Sequence, residues 1–251
     1  LITKGVDPLV SSLAAFGAGM VAGLITGLLT TKGKIPSLLA GILTMTAAYS
    51  INLRIMGKSN ISLLGQTTLF SNSFLKSLPT NFDSVTVGLV VVIVVTALLV
   101  LFLNTEYGQA FIATGDNPAM ARSMGIATNT MVIVGLMLSN GMVGLCGALV
   151  AQSNGYADIN MGIGTIVIAL ASIIIGEVAF GELTLGQRLV AVTLGSVIYR
   201  LILLAVLQLG FSANDLNLIS SLVLALCMML PQLDRLLNIK KPILKGVRTH
   251  D

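Results

Sequence analysis

Charge is what this sequence has least of: only 10% of its 251 residues are Asp, Glu, Lys or Arg, against 55% hydrophobic, where an ordinary soluble domain carries roughly 25% charged residues. The 14 basic and 10 acidic side chains are too few to cover a water-exposed surface, and they fall almost entirely between long apolar runs. A water-soluble globule is excluded, and the bilayer is the solvent. Histidine occurs once, as His250, and cysteine twice, as Cys146 and Cys227 inside apolar runs. No metal-ligand cluster and no disulfide framework can be assembled from them. The net charge of +4 does not point to nucleic acid either, because the basic residues sit beside apolar segments without interleaved aromatics, as membrane topology requires.

A membrane-crossing helix needs about 20 apolar residues. Seven runs approach that length: residues 9–29, 36–55, 85–103, 130–151, 164–180, 189–209 and 216–230. The expected fold is an all-α, polytopic transmembrane helical bundle, a single domain over residues 1–251. The third run, with Val90, Val91, Val92, Ile93, Val94 and Val95 in succession, has the composition of a strand, but its length and lack of turn residues favour a helix. The fifth is short and flanked by Gly162, Gly164, Gly176 and Gly181, and is expected to be bent or partly re-entrant.

Orientation follows from the loops, since cytoplasmic loops carry the excess of Lys and Arg. One side collects Lys32, Lys34, Arg122, Arg188, Arg235, Lys240, Lys241, Lys245 and Arg248; the other has Lys4, Arg54, Lys58 and Lys76. The richer side is read as cytoplasmic, which makes 232–251 a basic cytoplasmic tail, 56–84 a polar extracytoplasmic loop and candidate docking surface, and 104–129 a cytoplasmic loop. Seven spans with a cytoplasmic C-terminus place Leu1 outside. With a leucine first and no signal peptide, the expectation is that at least one further N-terminal helix precedes this chain.

The cytoplasmic loop is the most informative stretch. Asn117, or Asp116 before it, can cap a helix; Pro118 suits the first helical position; Gly125 can adopt the left-handed conformation that ends one. About two turns result, displaying Met120 and Met124 at i, i+4 spacing with Arg122 elsewhere. By spacing alone such a helix is either an interfacial connection between spans or a coupling helix that fits a cytoplasmic partner.

The run Gly115-Asp116-Asn117-Pro118-Ala119-Met120-Ala121-Arg122-Ser123-Met124-Gly125-Ile126 resembles the loop of ABC importer permeases of the ribose and branched-chain amino acid type, in which G-x-N-x-x-x-A-R-x-x-G-I precedes a membrane helix. Gly115, Asn117, Ala121, Arg122, Gly125 and Ile126 carry the match. The order of elements is similar too: a glycine-rich first segment, a Lys-containing inside loop with Ile35-Pro36, an outside loop after the second segment, and Ile174-Ile175-Gly176 in the fifth. Glu177 departs from the small residue expected after Gly176. The resemblance implies a permease dimer, most simply of two identical copies, each contacting a cytoplasmic ATPase subunit and receiving solute from an extracytoplasmic binding protein. ATP and magnesium then belong to the ATPase, and this chain carries no cofactor and no catalytic residue. Residues 181–186 have G-x4-G spacing but continue Gln187-Arg188 where a phosphate loop needs Lys and Ser or Thr, so no nucleotide site is encoded.

A path through hydrocarbon is marked by polar side chains facing the interior. The candidates are Ser139 and Asn140, Ser172, Tyr199 with Ser196, and Tyr49 with Asn52; for each the alternative is a hydrogen bond between or within helices. Arg200 sits nearer the outer end of its span, where it can snorkel. Glu177 lies beside Gly181, Glu182 and Arg188 and is expected to face water. Gly19, Gly23 and Gly27 on the first span, and Gly141, Gly144 and Gly147 on the fourth, mark faces for close helix packing.

The reading is therefore the permease subunit of an ATP-driven importer in a bacterial plasma membrane, taking a small polar solute such as an amino acid. An ion-coupled secondary transporter or channel is the rival, for which only Glu177 and Arg200 are at hand; a structural membrane subunit is a third.

Overall fold

In the computed structural model, which describes residues 2–71, 82–162, 164–181, 185–208 and 221–222, the first apolar run forms helix α1, Pro8–Thr31. Its start is set locally: the Asp7 carboxylate accepts from the Leu9 amide at 3.1 Å, and Pro8 occupies the first turn, where a missing N–H costs nothing. A tight turn, in which Lys34 takes a left-handed φ of 52°, leads to α2, Ser37–Met56, ended by Gly57 at φ 67°. Helix α3, Phe82–Leu103, contains the valine run. Within its residues 85–103 an 18-residue stretch has a mean hydropathy of 3.1, and none of it is fully buried by the rest of the chain. Such a surface is incompatible with water and suited to lipid, where the helix satisfies every backbone group internally.

Two short helices follow, α4 (Glu106–Asp116) and α5 (Pro118–Ser123), then the long α6, Thr128–Asn154, closed by Gly155 at φ 73°. At the far end of α6 a two-stranded antiparallel ribbon joins β1 (Asn60–Ser62) to β2 (Tyr156–Asp158), pairing Asn60 with Asp158 and Ser62 with Tyr156. These elements form one unit, Leu1–Gly162. Its main seam is the crossing of α1 with α6. A β-carbon on Gly19 would lie 2.3 Å from the Asn140 carbonyl oxygen, one on Gly23 2.2 Å from that of Leu136, and one on Gly144 2.4 Å from that of Ala15. Backbone meets backbone there, the geometry that small residues at i, i+4 permit in a membrane. Gly27 rests on Ile133, and Gly141 accommodates Phe16 and Met20; Gly147 faces open space and takes no part.

The second unit, Ile163–Asp251, contains α7 (Thr165–Phe180) and α8 (Leu185–Gln208). The fifth apolar run, expected to be bent or re-entrant, is one uninterrupted helix of 16 residues, about 24 Å long at the standard rise. Gly176 and Gly195 bring α7 and α8 together: a β-carbon on Gly195 would fall 2.3 Å from the Ser172 carbonyl oxygen. Ala171, Ile175, Tyr199 and Leu203 form the core of this pair.

The fold is thus a polytopic helical membrane bundle. Among the described residues six helices are long and apolar enough to cross a membrane. The seventh run, 216–230, lies outside the described residues except for 221–222, as do the tail 232–251, Glu182 and residues 72–81 of the polar loop.

Candidate functional site

The loop between α3 and α6 is more structured than its motif suggested. Thr105 caps α4 by accepting from the Gly108 amide at 3.2 Å. Gly108 must be a glycine, since a β-carbon there would meet the Phe102 carbonyl oxygen at 2.2 Å, and the Phe111 ring lies over Gly135 of α6. Gly115 and Asp116 belong to the last turn of α4 and not to the cap of the next helix. That cap is Asn117, whose Oδ1 accepts from the Ala119 and Met120 amides, both at 3.1 Å. Pro118 follows at the first helical position.

Helix α5 ends as its glycine implied. Gly125 adopts φ 85°, its amide donates to the Arg122 carbonyl, and the Ile126 amide donates to that of Ala121, each at 3.0 Å. This double bond pattern is the Schellman closure, open to a residue that tolerates positive φ. Ala121 is the buried foot of the helix, 1% exposed, while Met120 and Met124 are 60% and 69% exposed. Ala119 is also exposed. The Arg122 Nε donates to the Thr128 hydroxyl at 2.8 Å, pinning α5 to the first residue of α6. A rigid apolar knob therefore stands on a helix end, with the Ile126-Ala127 dipeptide joining it to α6.

The opposite end of this unit carries a polar link with no counterpart in the motif reading. Gln152 is 3% exposed; its Nε2 donates to the Ser12 hydroxyl at 2.9 Å, and its Oε1 accepts from the Leu69 amide at 3.1 Å. It thus ties α1, α6 and the 3-10 turn Leu69–Ser71 together. The signal was a single glutamine at the end of an apolar run, where an unsatisfied amide would cost too much to persist. Gln152→Leu removes both bonds and orphans the Leu69 amide. The expected cost is about 1–3 kcal/mol, read as a lower unfolding midpoint together with faster hydrogen exchange at Leu69.

The residues proposed for a solute path fall on α2 and α6 in the first unit and on α7 and α8 in the second. Asn140 turns its Nδ2 to the Leu136 carbonyl at 2.9 Å on its own helix, and Ser139 is exposed, as are Tyr49 and Asn52 on α2. In the second unit Ser172 donates to the Ile168 carbonyl at 2.8 Å, and Tyr199 is completely buried between α7 and α8. Glu177 accepts from Arg188 at 3.3 Å, with 51% and 61% of the two side chains exposed. An ion pair so exposed is worth little in stability.

The chain matches, over residues 1–231, the family model described as the permease component of branched-chain amino acid transport systems. It is 43% identical over 223 residues to a tyrosine transport system permease protein of Clostridioides difficile, covering 89% of this chain and 73% of that one. It is also 32% identical over 212 residues to an uncharacterized protein of Rickettsia prowazekii, covering 82% and 73% respectively. An autoinducer 2 import system permease protein of Yersinia pseudotuberculosis is 29% identical over 180 residues, 71% of this chain and 49% of that one. No solved structure matches.

Proposed function

Because this chain belongs to the ABC importer permeases of the branched-chain amino acid transport type, we propose that it forms the solute path of an importer whose α5 docks on a cytoplasmic ATPase subunit. Two copies pair across the membrane of a bacterial cell, and an extracytoplasmic binding protein delivers the solute, an amino acid. The relative named for tyrosine transport supports that solute class. ATP and magnesium are handled by the partner, and the end of the bundle bearing α5 is the cytoplasmic one, with the C-terminus on the same side.

The observation that carries the reading is the construction of α5. Its methionines are offered outward, while Ala121, the Schellman closure and the Arg122–Thr128 bond fasten it to the start of α6. A pull on α5 is therefore a pull on α6, and α6 meets α1 backbone to backbone along the glycine seam. When the two ATPase subunits close, the α5 helices move together and the α1–α6 pair rocks as a body, exchanging outward and inward openings. Interfaces packed this closely switch between discrete arrangements and do not deform continuously.

Co-expression with the genes that neighbour it, followed by purification in mild detergent, tests this. A stoichiometric ATPase subunit is expected, lost when residues 115–125 become a Gly/Ser linker. Recovery of the permease alone, with uptake into liposomes driven by an ion gradient and without ATP, would overturn it in favour of a secondary transporter.

A further inference from the structure

Beside α5, and separate from its methionine face, lies an open groove of about 1030 Å³ between the α1–α2 turn and the start of α6. Two cations line it, Lys34 and Arg122, and no carboxylate does. Neither is neutralised elsewhere, since the only ion pair among the described residues is Arg188–Glu177. The Arg122 Nε is held by Thr128, which leaves both terminal nitrogens of the guanidinium to a ligand. Ser37 and Asn129, also in the lining, open α2 and α6, helices of 20 and 27 residues whose starts lack a side-chain cap. The positive ends of both dipoles add to the field of the two cations.

Depth decides what anion this suits. The groove sits where three candidate spans terminate, at Thr31, Ser37 and Thr128, which is the level of lipid headgroups. Its apolar lining, Ile35, Ile126 and Val132, offers a glycerol backbone a surface leading from the charges toward the hydrocarbon. We propose that this groove binds the phosphate of an anionic phospholipid, gripped between Lys34 and Arg122. Basic pockets between helix ends recognise headgroups in this manner. A lipid so held bridges the α1–α2 turn and the α5–α6 junction, so membrane composition would tune how firmly α5 is seated. The assignment rests on the groove and not on the ATPase partner.

The test is native mass spectrometry of the purified protein offered phosphatidylglycerol, phosphatidylcholine or inorganic phosphate. Lys34→Asn is the variant, because asparagine tolerates the left-handed backbone at φ 52°, and Lys58→Asn, at the end of α2 away from the groove, is the control for charge loss alone. Wild type should retain phosphatidylglycerol over phosphatidylcholine, Lys34→Asn should lose that retention by about fivefold, and Lys58→Asn should match wild type. Equal retention of the two lipids, an unchanged Lys34→Asn, or an equal loss in Lys58→Asn would overturn the proposal. Displacement of the lipid by millimolar inorganic phosphate would assign the groove to a free phosphate compound instead. Loss of the lipid whenever an ATPase subunit binds would assign it to an acidic surface of that partner.

Discussion

Gly23→Ala is expected to lower the unfolding midpoint of the detergent-solubilised protein by about 2–12 °C, a large effect for one methyl group. The new carbon would lie 2.2 Å from the Leu136 carbonyl oxygen and 2.7 Å from the Met137 α-carbon, and neither belongs to a side chain that can turn away. Helices α1 and α6 must separate, and overpacking of this kind costs about 1–3 kcal/mol, which converts at roughly 2–4 °C per kcal/mol for a chain of this size. Gly19→Ala and Gly144→Ala meet backbone oxygens at 2.3 and 2.4 Å and should behave alike. Gly147→Ala is the control: it sits on α6 in open space, and alanine's better helix propensity should leave its midpoint unchanged or slightly raised. Size-exclusion thermostability of the four variants reads all of this. Equal midpoints for Gly23→Ala and Gly147→Ala would contradict a backbone-close crossing.

That crossing shows what kind of information the sequence holds. Gly19, Gly23 and Gly27 at i, i+4 spacing mark a face, because small residues on one side of an apolar helix have few other uses. They do not name the mate. Only the structure pairs them with α6, where Gly144 contributes and Gly147 does not. The α7–α8 seam escaped for a related reason, since Gly176 and Gly195 lie on different helices and neither forms a ladder on its own. The ends of the helices were legible because stop signals are local. Asn117, Pro118 and Gly125 act within a turn of where they stand, and both the cap and the left-handed closure lie where those residue types place them. Helix α4 was absorbed into the loop because its closing signals, Gly115, Asn117 and Pro118, were read as the opening of the next helix.

Several polar side chains inside the spans are bonded within their own helices. Ser172 and Asn140 each return their hydrogen bond to the carbonyl four residues earlier on the same helix, a use that burial alone demands. Tyr199 fills the core between α7 and α8. Gln152 was passed over, yet it bonds across three elements. A lone polar residue in an apolar run announces that a partner exists, and which partner is a matter of tertiary structure.

Met120→Ser with Met124→Ser is expected to leave the unfolding midpoint within about 1 °C of wild type while reducing solute-stimulated ATP hydrolysis by on the order of tenfold or more. The first half follows from exposure: at 60% and 69% these side chains stabilise little in the isolated subunit. The second follows from burial on docking, for a fully covered methionine contributes about 1.5–3 kcal/mol, and tenfold in binding is about 1.4 kcal/mol. Arg122→Ala separates docking from transmission. It removes the bond to Thr128 but leaves both methionines in place, so the ATPase should still co-purify and hydrolyse ATP while uptake per ATP falls. Gly125→Ala forces alanine to φ 85°, a strain of about 1–2 kcal/mol, and should lie between the two, weakening both the seat of α5 and its docking. Uptake and hydrolysis measured together in proteoliposomes distinguish these patterns. If the methionine pair changes neither, α5 is a connection between spans and the coupling assignment fails. If Arg122→Ala behaves as the methionine pair does, force does not pass through the α5–α6 junction.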